Sequence, residues 1–159
     1  MNTVYLLLGS NMGDSEQMLA VATSMIKKNI GKLEKSSSIY RTAAWGKEDQ
    51  PDFLNQIIIV LSSLSSSTLL KEIFVIEKEM GRVRTTKNAA RVIDIDMLFF
   101  NDEIIQTENL TVPHKQIQNR RFVLVPLAEI APDFLHPILK KSALELLALS
   151  NDNLNVQKI

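Results

Sequence analysis

Asp94 and Asp96 stand two residues apart in the run Arg91-Val92-Ile93-Asp94-Ile95-Asp96-Met97-Leu98-Phe99-Phe100, which otherwise reads as a buried strand of branched and aromatic side chains. Along a strand, residues i and i+2 leave the same face, so both carboxylates project to one side while Ile93, Ile95 and Met97 fill the other. A buried, unpaired carboxylate costs several kcal/mol or takes up a proton, so a strand this apolar needs a cation beside the pair. Two carboxylates at this spacing suit hard divalent ions, including two metals roughly 3.5–4 Å apart that clamp a phosphate for in-line displacement.

Other function classes are narrowed by charge and by cysteine. Lys+Arg and Asp+Glu balance at 18 each, so there is no global basic field to gather nucleic acid, and any anion site must be local. The absence of Cys removes disulfides, thiolate metal sites and a cysteine nucleophile, and agrees with a reducing cytoplasm. The opening Met-Asn-Thr-Val-Tyr-Leu-Leu-Leu-Gly is too short and too poor in basic residues for a signal peptide or membrane span, and reads as a first strand. A chain of 159 residues fits one domain, here 1–159, with a monomer as the default state.

Periodicity divides that domain into elements. Val4 to Leu8 reads as a strand, Gly9 to Asp14 as a turn, and Ser15 as the cap of a helix from Glu16 to Asn29 that Gly31 stops. Leu33 to Tyr40 and Asn55 to Leu64 read as strands. Ser65-Ser66-Ser67-Thr68 starts a second helix, carried by Leu69, Leu70, Ile73, Phe74 and Ile76 and ended by Gly81. Asn101-Asp102-Glu103 is a candidate hairpin turn between the Asp strand and Ile104-Ile105. Beyond it lie an apolar stretch from Val123 to Ile130 and an amphipathic helix near Ala143 to Leu149. The order strand, helix, strand, strand, helix, strand predicts an α+β ferredoxin-like sandwich, an antiparallel sheet covered by helices on one face and extended by the last two elements.

Arg82, Arg84, Lys87 and Arg91 precede the aspartates closely. Planar guanidinium donors beside divalent metals are equipped to neutralise a polyphosphate during transfer. No Gly-x-x-x-x-Gly-Lys-Ser/Thr loop occurs, which excludes a P-loop kinase. His114, after Pro113, is a candidate phosphate donor or proton shuttle, whereas His136 reads as structural. Phe53 and Phe122 could supply aromatic faces, and the Asn55 amide an edge contact, for a flat heteroaromatic ring.

Several blocks in this order carry a family signature: Gly9-Ser10-Asn11, Tyr40-Arg41-Thr42 with Gly46, Asp49-Gln50-Pro51-Asp52-Phe53-Leu54-Asn55, Glu77 ahead of Gly81-Arg82-Val83-Arg84, and Arg91 to Asp96. Leu110-Thr111-Val112-Pro113-His114, Asn119-Arg120-Arg121-Phe122 and Pro126-Leu127 complete it. The chain thereby resembles the 6-hydroxymethyl-7,8-dihydropterin pyrophosphokinases of folate synthesis, from the first strand to about Pro132. The resemblance implies transfer of the β,γ-diphosphate of ATP to the pterin hydroxymethyl group, with AMP released. It implies that Asp94 and Asp96 hold two Mg²⁺ ions around ATP, and that Arg82 and Arg91 stabilise the transferring group. Glu77, Arg84, Thr111, His114 and Arg120, with Arg91, would line the ATP site. Thr42, Trp45, Phe53, Asn55 and Phe122 would take the pterin. The segment Thr85 to Ala90 is one residue shorter than in the best-known members and lacks their Trp-Gly-Pro. Phe74 stands at a position given to an adenine-side Gln, and Asn109 at one given to Arg. The rival readings are another Mg-dependent phosphoryl or nucleotidyl transferase on a ferredoxin-like scaffold, and a regulatory or RNA-binding domain. The latter lacks the aromatic strand motif that stacks bases.

Overall fold

The computed structural model describes residues 1–43, 50–82 and 92–159. Its centre is β1 (Asn2–Ser10), where Val4, Leu6 and Leu8 point to one face and Tyr5 and Leu7 to the other, all buried. A strand apolar on both faces must lie inside a sheet. Accordingly β1 is flanked antiparallel by β4 (Phe53–Ser62) and β5 (Asp94–Phe100). The sheet order is β5-β1-β4-β3-β8, with β3 at Tyr40–Thr42 and β8 at Gln157–Lys158, and β2 (Lys32–Ser36) also pairs with β4.

The sequence predicts one strand over Leu33–Tyr40, but two form, end to end along β4. Ser37 breaks the ladder. Its hydroxyl accepts the Ile57 N–H at 3.0 Å in place of a backbone carbonyl and donates to the Ser38 carbonyl. The predicted hairpin after β5 does not form either. Asn101, at φ 52°, turns the chain, and its side-chain oxygen accepts the Thr3 N–H at 2.8 Å, closing the β1–β5 ladder. Ile105–Gln106 (β6) instead pairs with Thr111–Val112 (β7) in a separate ribbon.

Helices cover both faces rather than one. Helices α1 (Ser15–Asn29) and α2 (Ser66–Glu79) seal the first face, where Leu19, Ile26, Leu69, Ile73 and Ile76 pack against Leu6, Ile58, Ile95 and Met97. The apolar stretch after Arg120 forms α3 (Arg121–Ile130), which with α4 (Ala143–Leu149) covers Leu7, Ile57, Ile59 and Phe99 on the second.

Capping residues set the helix ends. Asp14, one residue before the predicted Ser15, caps α1 by accepting the Gln17 N–H, while Ser15 accepts a hydroxyl bond from Ser10. Gly31 is not a left-handed stop. A Cβ there would strike the Leu61 carbonyl, so glycine is required by the close approach of β4.

Candidate active site

Helix α2 ends in a motif that builds the first part of the site. Gly81, at φ 90°, takes the left-handed conformation after the C-cap Met80. The Gly81 N–H then donates to the Lys78 carbonyl and the Arg82 N–H to the Glu77 carbonyl, each at 3.0 Å, the paired bonds of a Schellman stop. The reversal folds Arg82 back over Glu77. Arg82 Nη1 donates at 2.6 Å to both Glu77 Oε2 and Asp94 Oδ1, and Glu77 Oε2 also accepts the Ile95 N–H at 2.9 Å. Glu77 is 3% exposed, so this buried anion is held by a guanidinium and by β5 itself. Burial would lower the Arg82 pKa, but Asp94 and Glu77 outweigh it and raise it, keeping the guanidinium charged.

Across the sheet, Asp94 faces Gly9, Gly9 faces Asn55 and Asn55 faces Tyr40 in a single row. At the usual strand spacing, the carboxylate and the amide thus stand about 10 Å apart across a residue with no side chain. A Cβ on Gly9 would lie 2.8 Å from Asn55 Oδ1, so only glycine leaves this floor open. Two register positions away, Asp96 faces Leu7. Burial, then the charges of Asp94 and Glu77, push Asp96 up to about 7, against the pull of Arg120 and Arg82. The charged form of Asp96 is thus disfavoured where it stands, and a cation beside it would favour ionisation. Two carboxylates on one face suit a hard cation whose remaining ligands are phosphate oxygens and water, and among the described residues no third His, Asp or Glu joins them.

Of the other candidates, His114, Arg120 and Asp94 are close enough to act on one another electrostatically, and Phe122 belongs to the second face. Asn55 is buried and its Nδ2 donates to Thr42 Oγ1 at 3.4 Å, and Thr42 lies opposite Phe53 in the β3–β4 ladder. Phe122, in the first turn of α3, packs against the second-face core, with the Arg120 guanidinium 5.7 Å from its ring centre. Thr111 lies in β7, which rests against β5, and the His114 N–H donates to the Leu98 carbonyl at 3.0 Å. His114 Nδ1 accepts the Gln116 N–H at 3.2 Å, and burial followed by the Arg120 charge lowers its pKa, so the ring is neutral near pH 7. Trp45, Arg84, Lys87, Arg91 and the shortened segment 85–90 lie outside the described residues.

Sequence reasoning gave no role to Asn11, whose buried Nδ2 donates to Gln50 Oε1 and the Pro51 carbonyl, tying the turn after β1 to the approach of β4. The signal was present, a polar residue directly after a buried strand, but its partners lie about 40 residues away. His136 is structural, as expected. Its Nδ1 accepts the N–H groups of Ile138 and Leu139, and its ring stands edge-on to Phe99.

An α+β sandwich with paired strand carboxylates and the Arg82 guanidinium beside them has the make-up expected of a metal-assisted phosphoryl-transfer enzyme. The sequence model of 7,8-dihydro-6-hydroxymethylpterin-pyrophosphokinase (HPPK) matches residues 5–132, and the chain belongs to this family. It is 43% identical over 141 residues to the 2-amino-4-hydroxy-6-hydroxymethyldihydropteridine pyrophosphokinase of Aquifex aeolicus, covering 89% of this chain and 88% of that one. The Bacillus subtilis protein of the same name is 44% identical over 130 residues, covering 81% and 78%. Among solved structures, Plasmodium falciparum HPPK-DHPS superposes with a TM-score of 0.76 at 19% identity, over 93% of this chain and 43% of that chain, which supports the fold.

Proposed function

We propose that the protein transfers the β,γ-diphosphate of ATP to the hydroxymethyl oxygen of 6-hydroxymethyl-7,8-dihydropterin. A bond forms between that oxygen and the β-phosphorus while the hydroxyl proton passes to Asp94 or to water, the bond from the β-phosphorus to the α,β-bridging oxygen breaks, and AMP leaves with the bridging oxygen. The observation that supports this reading is the row Asp94–Gly9–Asn55, a carboxylate and an amide on either side of a residue without a side chain, in a chain of the pterin pyrophosphokinase family.

In this reading Asn55 hydrogen-bonds the pterin edge, Phe53 and Phe122 flank the ring, and backbone groups near Thr42 and Trp45 complete recognition. Arg82, held by Glu77, together with Arg91 neutralises charge on the transferring diphosphate, and Arg84, Thr111, His114 and Arg120 grip the rest of ATP. Glu77 serves the ATP side chiefly by fixing Arg82 and the start of β5. Asp94 and Asp96 would hold Mg²⁺, two ions with ATP, and the charge supplied there would screen the phosphates and favour loss of the alcohol's proton. The alcohol is a poor nucleophile, so alignment and charge neutralisation supply most of the acceleration, without a covalent intermediate. No helix among the described residues is long and apolar enough to cross a membrane, and the reading includes a monomer in the cytoplasm.

The test is incubation with ATP, Mg²⁺ and the hydroxymethyl dihydropterin. AMP and a pterin diphosphate should appear in equal amounts. ADP as product, or ATP turnover indifferent to the pterin, would overturn the assignment.

A further inference from the structure

Helix α3 carries Arg120 and Phe122 at its start, yet it begins without its own cap. The N-cap Arg120 makes no side-chain capping bond, the first turn holds no acidic residue, and Arg120 and Arg121 place two cations at the positive end of the helix. The missing acceptor comes from residue 152. Asp152 Oδ2 accepts the Arg121 N–H at 2.8 Å, and its Oδ1 accepts the Leu154 N–H at 3.0 Å. The Asp152 N–H in turn donates to Ser150 Oγ at 3.2 Å, at the end of α4. Asp152 also lines a surface pocket of about 330 Å³ together with Gln118, Asn119, Leu146 and Leu149. Further on, β8 pairs Gln157 and Lys158 with Arg41 and Tyr40 of β3, the strand that ends in Thr42. Residues 150–158 thereby link the α3 wall of the site, with Phe122, to the β3 wall, with Thr42, and they lie beyond the family match at 132.

We propose that Asp152 is a positioning residue for the pterin pocket: by capping α3 across space it fixes the height of Phe122, and of Arg120 beside it, over the sheet. The proposal rests on the pterin site described above. It depends on one hydrogen bond whose two ends can be removed separately. Asp152→Ala removes the acceptor. Arg121→Pro removes the donor at the first helical position, where proline is tolerated, and the extended Arg120 (φ −126°, ψ 107°) is compatible with a following proline. Arg121→Ala is the control that loses the side chain and keeps the N–H.

Steady-state kinetics at saturating ATP and Mg²⁺, with thermal unfolding of each variant, test it. Asp152→Ala and Arg121→Pro should each raise the pterin KM about tenfold, near the low end for a hydrogen bond to a charged group, with kcat changed less than about threefold. The double variant should be no worse than either single one, Arg121→Ala should stay near wild type, and Asp152→Asn, which keeps an acceptor, should recover most of the loss. An unchanged KM in folded Asp152→Ala or Arg121→Pro, or an Arg121→Ala effect equal to that of Arg121→Pro, overturns the proposal alone. A wild-type protein that does not turn over the pterin overturns the site reading, and this inference with it.

Discussion

On the α1/α2 face of the sheet, Ile95 and Met97 of β5, with Ile93 just before it, are sealed among Leu19, Ile73 and Ile76, and the buried Glu77 of α2 adds a polar hold on the Ile95 N–H. On the α3 face of the same strand, Asp94 and Asp96 occupy the alternate positions, and the apolar core resumes only at Leu98 and Phe99. One face holds the strand in place and the other uses it. The contrast shows how a charged pair is tolerated in a seven-residue strand: the backbone is anchored from behind by a close-packed apolar layer and by the Glu77 carboxylate.

The sharpest way to break this comparison is to alter neighbours on opposite faces. Asp96→Ala should lower kcat by about a thousandfold or more, since metal-borne charge stabilisation is worth several kcal/mol, while the protein stays folded. Near-normal turnover would remove Asp96 from the site. Ile95→Ala, one residue away, should cost about 2–5 kcal/mol of stability in chemical denaturation, with activity per folded molecule close to wild type. A selective loss of kcat there would show that the two faces are not separable. A smaller effect is expected at the floor. Gly9→Ala sets a methyl 2.8 Å from Asn55 Oδ1, and the few tenths of an ångström that Asn55 must yield should raise the pterin KM about tenfold while leaving Mg²⁺ affinity unchanged. Unaltered pterin kinetics would mean that Asn55 does not reach the substrate.

The smallest effect concerns stability on the α3 face away from the site. Burial lowers the His136 pKa, and Nδ1 already accepts two N–H bonds, so the native state resists protonation there. Below the ordinary value of about 6.5 the unfolded chain binds the extra proton and the native state does not, so stability is lost as pH falls and is flat above. Tm should decline between about pH 6.5 and 5, and His136→Asn, which offers an acceptor without titrating, should reduce that slope. An identical slope in the variant would assign the acid sensitivity elsewhere.

Much of the fold was legible because each signal was local. The period of two in Val4 to Leu8, the period near 3.6 in Met18 to Ile26, and Ser65 ahead of Leu69 each depend on residues within one turn or one strand. The failures share one cause as well. Ser37 breaks a strand through a bond to Ile57, Asn101 ends β5 through a bond to Thr3, and the apolar stretch after Val123 is a helix because it covers the second face. None of these partners is near in sequence.

The sequence by itself determined that two carboxylates share a face, because strand geometry has a period of two whatever surrounds it. It also carried the family blocks. Only the tertiary structure decided that the open floor at Gly9 lies between Asp94 and Asn55, that Glu77 reaches Arg82 and β5 together, and that Asp152 caps α3 from 31 residues away. Register and long-range capping depend on which segments the core brings side by side, and a linear pattern does not encode that distance.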